Sequence, residues 1–192
     1  MKPYKELQQQ LQGQLKPKRY KHTLGVVDCA VEMAHQFGAN EEKAQIAGLL
    51  HDCAKNYAGK DLLTIASSSH LPLDQITLKE PQLLHGPVGA IVAQNKYGIQ
   101  DEEILNAIAY HTTGRRNMTL LDKIIYLADF IEPGRDYPGV EKLRKACEKD
   151  DIDNACILAF SNTIRYIASI SGLIHPRTID ARNALILKKI NQ

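Results

Sequence analysis

Apolar side chains recur along this chain at three- and four-residue steps, while strict alternation at every second residue is nearly absent. In residues 21–37 the stripe Val26, Ala30, Met33 and Phe37 predicts one helix, which Gly38 and Asn40 close. Glu41 opens a second. Its apolar positions Ile46, Ala47, Leu49 and Leu50 run into His51-Asp52, and its end is expected among the turn formers of residues 56–59. A weaker helix is expected over residues 61–68, then a polar surface loop through Ser69, Pro72 and Asp74, and a short turn at Pro81. Pro87 suits the first turn of a helix reaching Tyr97, with Gly98 as its C-terminal cap. Asp101 caps another that reaches His111, and residues 119–131 form the next. After a break at Pro133, Gly134, Pro138 and Gly139, two or three further helices extend to Ile190. The pattern predicts an all-α fold. With no linker or internal repeat, it also predicts a single domain over residues 1–192.

Polar groups on these apolar stripes are the informative exceptions. His22 stands one turn before Val26 and extends its stripe; His51 extends Ala47 in the same way. His111 continues Ile104, Ala107 and Ile108 at helical spacing. Asp129 follows Leu121, Ile124, Ile125 and Ala128, where a carboxylate is costly unless a cation or several donors meet it. His85 shares a face with Val88 and Val92, and Asp52 adjoins His51 at a helix end. Six candidate metal ligands, His22, His51, Asp52, His85, His111 and Asp129, thus come from five segments, as expected of a metal site inside a helical bundle. One such histidine alone would be an ordinary hydrogen-bonded core residue. His35, His70 and His175 lie off the stripes or in loops and are expected at the surface.

Composition narrows the classes. A formal charge of +2 on 192 residues, from 24 basic and 22 acidic side chains, gives no overall field to hold a nucleic acid. Phosphate binding would have to be local. Lys16, Lys18, Arg19 and Lys21, like Lys188 and Lys189, read as solvated helix faces. The N-terminal segment lacks a signal-like apolar run, and no stretch reaches membrane-spanning length, so a cytoplasmic protein without membrane contact is expected. Cys29, Cys53, Cys147 and Cys156 show no CxxC spacing and read as reduced, packed thiols.

The order His22, His51-Asp52, His85, His111, Asp129 resembles the HD superfamily of metal-dependent phosphohydrolases. Its flanks are Arg19-Tyr20-Lys21-His22-Thr23, Ala47-Gly48-Leu49-Leu50-His51-Asp52-Cys53-Ala54-Lys55 and Ala109-Tyr110-His111-Thr112-Thr113-Gly114. Leu84-His85-Gly86-Pro87, the run from Asp122 through Asp129 to Glu132-Pro133-Gly134-Arg135, and Leu173-Ile174-His175-Pro176-Arg177-Thr178 are similar to the bacterial YqeK-type branch, the symmetrical diadenosine tetraphosphate hydrolases. The resemblance spans nearly the whole chain. It implies an HD helical bundle with the metal site in its core, motifs over residues 19–135, C-terminal helices of residues 140–190 completing a nucleotide pocket, and a homodimer.

The resemblance further implies two divalent metal ions, with His22, His51, Asp52 and Asp129 at one, His85 and His111 at the other, and Asp52 bridging. It implies iron. Imidazole and carboxylate donors by themselves suit iron, manganese, zinc or cobalt alike. Water between two such ions would be acidified to hydroxide while the phosphate oxygens are polarised, splitting diadenosine tetraphosphate into two ADP. Catalytic roles fall to Asp52, His85, His111 and Arg135. Nucleotide contacts fall to Arg19, His85, His111, Asp129 and Arg135, to Lys55-Asn56-Tyr57-Ala58-Gly59-Lys60, and to Ile170-Ser171-Gly172-Leu173-Ile174-His175. Arg135, in a loop just past Asp129, is expected to meet phosphate with two parallel hydrogen bonds. The HD motif itself is common to enzymes acting on nucleoside monophosphates, deoxynucleoside triphosphates and cyclic dinucleotides. A non-catalytic nucleotide sensor is the remaining alternative, against which the complete ligand set argues.

Overall fold

Helix ends in this chain stand where residues with the right end chemistry occur. Gly38 and Gly98 adopt φ of 72° and 74°, the left-handed conformation that ends a helix without Cβ strain. Asn40 accepts the Lys43 amide at 2.9 Å, Asp101 accepts those of Glu103 at 2.9 Å and Ile104 at 3.2 Å, and Thr119 forms a reciprocal capping box with Asp122. The structure, a computed structural model, describes residues 2–149 and 151–191. Among the described residues there is no strand, and the helices run in order α1 (Tyr4–Gln12), α2 (Pro17–Phe37), α3 (Glu41–Leu50), α4 (Gly59–Ser68), α5 (Gln75–Lys79), a 3-10 turn (Pro81–Leu84), α6 (His85–Tyr97), α7 (Glu102–Tyr110), α8 (Leu120–Ile131), α9 (Val140–Cys147), α10 (Ile152–Ser169) and α11 (Pro176–Ile190).

At the centre lies α8. Every residue from Leu121 to Ala128 is buried, because α2, α3 and α7 pack on one side and α9 and α10 on the other. A helix that is apolar nearly all round is stable only in such a position. Each fully buried Ile or Leu side chain, such as Ile124, Ile125 and Leu127, contributes about 1.5–3 kcal/mol. Tyr126 stacks on Phe160 of α10 with ring centroids 4.3 Å apart, joining the C-terminal helices to this core. α2 packs along α3 and α8, and α6 along α7, so the five helices carrying the candidate ligands surround one interior.

The structure departs from the sequence expectation at four places. An additional helix, α1, precedes α2 and buries Leu7 and Leu11 completely, the i and i+4 positions of a short amphipathic stripe. α2 starts at Pro17, not residue 21, because proline at N1 has no amide to leave unpaired. α3 ends at Leu50, well before residues 56–59: beyond it Cys53 bonds Leu50 O at 3.0 Å, Lys55 bonds Asp52 O at 2.9 Å and Tyr57 bonds Ala54 O at 3.1 Å. These are successive tight turns. Within the expected loop, Asp74 and Thr77 form a capping box that starts α5.

Gly86 determines how closely α6 meets α7. A Cβ there would lie 2.7 Å from the carbonyl oxygen of Ala109, so only glycine lets the two backbones touch. That contact sets His85, the first residue of α6, beside His111, the residue closing α7. Gly86→Ala is therefore expected to force the helices apart and lower the unfolding free energy by about 1–3 kcal/mol, measured by urea denaturation.

Candidate metal centre

Four of the seven histidines meet in the interior as a continuous row. Ring centroids are 5.5 Å apart from His22 to His51, 5.1 Å from His51 to His111 and 4.9 Å from His111 to His85. His51, His85 and His111 are essentially buried. Each of these three stands at a helix end, where the last carbonyls lack intrahelical partners. Each uses one. His51 Nδ1 lies 2.7 Å from Gly48 O, His111 Nδ1 lies 2.8 Å from Ile108 O, and His85 Nδ1 bonds Gln82 O. A carbonyl only accepts, so Nδ1 must carry the proton and Nε2 must present a lone pair.

His22, in mid-helix, has no such carbonyl and uses a carboxylate instead: its Nδ1 lies 3.0 Å from Glu132 Oε1. Glu132 is 4 % exposed and is itself held by the Gly134 amide at 2.5 Å. Gly25 on α2 makes room, since a Cβ there would come within 2.6 Å of Glu132 Oε2. Glu132 was not among the sequence-derived site residues. Its signal, a carboxylate three residues past Asp129 at the end of an apolar helix, becomes visible only when α2 lies against α8.

All four Nε2 atoms then turn toward two carboxylates. Asp52 faces both ways: Oδ2 lies 3.5 Å from His51 Nε2 and 3.9 Å from His22 Nε2, while Oδ1 lies 3.2 Å from His85 Nε2 and 3.7 Å from His111 Nε2. Asp129 Oδ1 lies 3.0 Å from His22 Nε2 and 3.9 Å from His51 Nε2. Donors sharing one ion at the usual 2.0–2.2 Å bond lengths stand no more than about 4.4 Å apart, so these spacings are those of ligands around a common centre. Within the cluster, His22, His51 and Asp129, and likewise His51, Asp52 and His111, offer donor atoms all within 4.8 Å of one another. The Nε2 atoms of His22 and His51 are buried yet make no hydrogen bond, which is costly for lone pairs unless an electrophile meets them. The donor set fits divalent metal.

Electrostatics keep the carboxylates ionised. Burial works against the Asp52 anion, but the neighbouring imidazoles of His51, His111 and His85 hold its carboxyl well below the ordinary range. Asp129 is opposed by burial in the same way and lowered by His22, His51 and Arg135. Burial also depresses His85, which favours its neutral, lone-pair form. Thr112 Oγ1 lies 3.2 Å from Nε2 of both His85 and His111, bridging that half of the cluster.

Comparison with known proteins agrees with this geometry. The HD domain model matches residues 19–134, more than half of the chain and all six clustered side chains. This chain belongs to the HD domain family. It is 42% identical to "Bis(5'-nucleosyl)-tetraphosphatase, symmetrical" of Bacillus subtilis (strain 168), over 90% of this chain and 92% of that one. It is 37% identical to the Staphylococcus aureus (strain NCTC 8325 / PS 47) protein of the same name, covering 88% and 87%. A crystal structure from Clostridium acetobutylicum, described as a predicted HD superfamily hydrolase involved in NAD metabolism, superimposes with a TM-score of 0.94 at 46% identity, covering 98% and 99%.

At the His22 side of the cluster lies a groove of about 880 Å³, whose walls include Arg19, His22, Lys55, Asn56 and Arg135. Arg19 Nη1 pairs with Asp52 Oδ2 at 2.8 Å. Arg135 spends its Nη2 and Nε on the carboxylate and carbonyl of Asp129, so the two-pronged phosphate contact expected of it is already made to protein. Lys55 Nζ reaches His85 Nε2 at 3.4 Å. Tyr57 and Ala58 continue the turns behind Asn56 into α4, which begins at Gly59 and Lys60. Residues 170–174 form a turn after α10 with Ile170 and Leu173 exposed, away from the groove walls. His35 and His70 are exposed as expected. His175 is not: it is buried, caps α11 by accepting the Arg177 amide at 3.1 Å, and lies 3.1 Å from Asp74 across a smaller pocket. No helix of the described residues is long and apolar enough to cross a membrane.

Because Glu132 alone holds the His22 tautomer, Glu132→Ala is expected to weaken divalent-metal binding about 10–100-fold, read by calorimetric titration of Mn²⁺ or Fe²⁺.

Proposed function

We propose that this chain is a symmetrical bis(5'-nucleosyl)-tetraphosphatase, which hydrolyses diadenosine tetraphosphate at its central anhydride to two ADP. The observation that carries the reading is the two-faced Asp52, with one oxygen toward His22 and His51 and the other toward His85 and His111, paired to Arg19 on the wall of a cation-lined groove. The printed names of the Bacillus subtilis and Staphylococcus aureus relatives support the substrate class.

His22, His51, Asp52 and Asp129 would hold one divalent ion and Asp52, His85 and His111 a second. Iron is our choice, with manganese, cobalt and zinc compatible with the donors. When bound, such ions supply Lewis acidity toward phosphate oxygens and lower the pKa of water. The protein's own groups do the rest. Histidines whose Nδ1 protons are fixed keep their Nε2 lone pairs aimed without reorganisation. Lys55 is largely buried, which pushes its ammonium pKa down; beside Asp52 and His85 it is placed to meet a phosphate oxygen at the cluster. Arg19 and Arg135 hold Asp52 and Asp129 while each keeps a nitrogen unpaired among the described residues, free to bond phosphate. In the reaction, the water oxygen bonds to one inner phosphorus, the bridging P–O bond breaks, and the bridging oxygen departs with the second ADP.

Hydrolysis of diadenosine tetraphosphate, followed by anion-exchange chromatography, is expected to yield ADP as the sole nucleotide product. AMP with ATP, or a preference for nucleoside monophosphates or deoxynucleoside triphosphates, would sink the reading. Chelation should abolish turnover and re-addition of Mn²⁺ or Fe²⁺ restore it. Asp52→Ala should remove both bound metal and activity, since the shared carboxylate has no substitute.

A further inference from the structure

We propose that Lys16, Lys18 and Lys21, around the first turn of α2, form the subsite for the departing half of the substrate, binding the phosphates of the nucleoside diphosphate beyond the scissile bond. The assignment rests on the tetraphosphatase reading and extends it to the part of the substrate that the histidine cluster does not reach.

The argument begins with charge. Six cations line the groove, Lys16, Lys18, Arg19, Lys21, Lys55 and Arg135, against only two carboxylates, Asp28 and Glu132. Three of the six cations are already committed. Arg19 and Arg135 pair with Asp52 and Asp129, Lys55 abuts His85, and Glu132 is taken by His22 and the Gly134 amide. Lys16, Lys18 and Lys21 have no ion pair or side-chain hydrogen bond among the described residues, although all three stand on the wall of the same groove as His22. A solvated helix face would not need to be concentrated there.

Geometry makes the same point. Lys18, Lys21, His22 and Gly25 fall on one face of α2, and Lys18 precedes His22 by four residues, about 6 Å along the axis. That is within reach of a lysine side chain. A phosphate chain whose inner members lie at the cluster would therefore pass the lysines as it leaves along α2. The substrate is symmetrical but the site is not. Its inner wall is built of imidazole, carboxylate and arginines already bound to carboxylate, while its outer wall offers mobile ammonium groups. Exposed lysines are compact charges on flexible stems, able to draw in a polyanion and to release a product without breaking a fixed fork of hydrogen bonds.

The test compares wild type with the K16Q/K18Q/K21Q and K16R/K18R/K21R triple variants, using diadenosine tetraphosphate as substrate and ADP as competitive inhibitor. The glutamine variant is expected to raise KM for the tetraphosphate about ten-fold, with the effect in KM and not in kcat. Its log(kcat/KM) should also fall less steeply with log salt concentration, because the screened charges are gone. The inhibition constant of ADP, which takes the inner half, should change far less than KM. The arginine variant should restore KM. An unchanged KM, an ADP constant that rises in parallel with KM, or failure of arginine to restore it overturns the proposal. Failure of wild type to release ADP from the tetraphosphate would instead overturn the functional reading itself, and would be seen before any variant is compared.

Discussion

Everything at the centre of this molecule depends on where four imidazole Nδ1 protons go. Three are donated to carbonyls at helix ends and the fourth to Glu132, which leaves four Nε2 lone pairs facing two aspartates. Helix ends must satisfy their last carbonyls somehow. Here that obligation is discharged by the histidines, so a requirement of backbone hydrogen bonding also orients the chemical site. The packing serves this arrangement: Gly86 lets α6 touch α7, Gly25 admits Glu132, and α8 supplies Asp129 from a largely apolar helix.

Charge compensation is the second constraint. Two carboxylates in an interior are expensive unless paired, and each is met by an arginine as well as by histidines. The arginines thereby become part of the wall, each with only part of its guanidinium left over for substrate. Lys16, Lys18 and Lys21 add further cations to the wall of the same groove along α2.

Much of the fold was legible in the chain. The stripes ending in His51 and His111, the stripe of α8 broken by Asp129, and the end signals Gly38, Asn40, Gly98 and Asp101 are local, and the helices follow them. The failures were also local. α1 is a short stripe of two leucines, too weak to stand out, and the turns after Leu50 resemble a helix in composition because i to i+3 bonding uses the same residues. His175 looked like loop filler because burial of a cap depends on what the loop lies against, in this case Asp74.

What the sequence by itself determined is the identity and order of the six clustered side chains, because a polar residue on an apolar stripe must point inward whatever it meets there. Periodicity carries that information within each helix. Which lone pair each histidine presents, which oxygen of Asp52 faces which histidines, the part played by Glu132, and the commitment of Arg135 to Asp129 were decided only in three dimensions. These are relations between segments as much as 110 residues apart, as His22 and Glu132 are, and no spacing along the chain encodes the angle at which two helices cross.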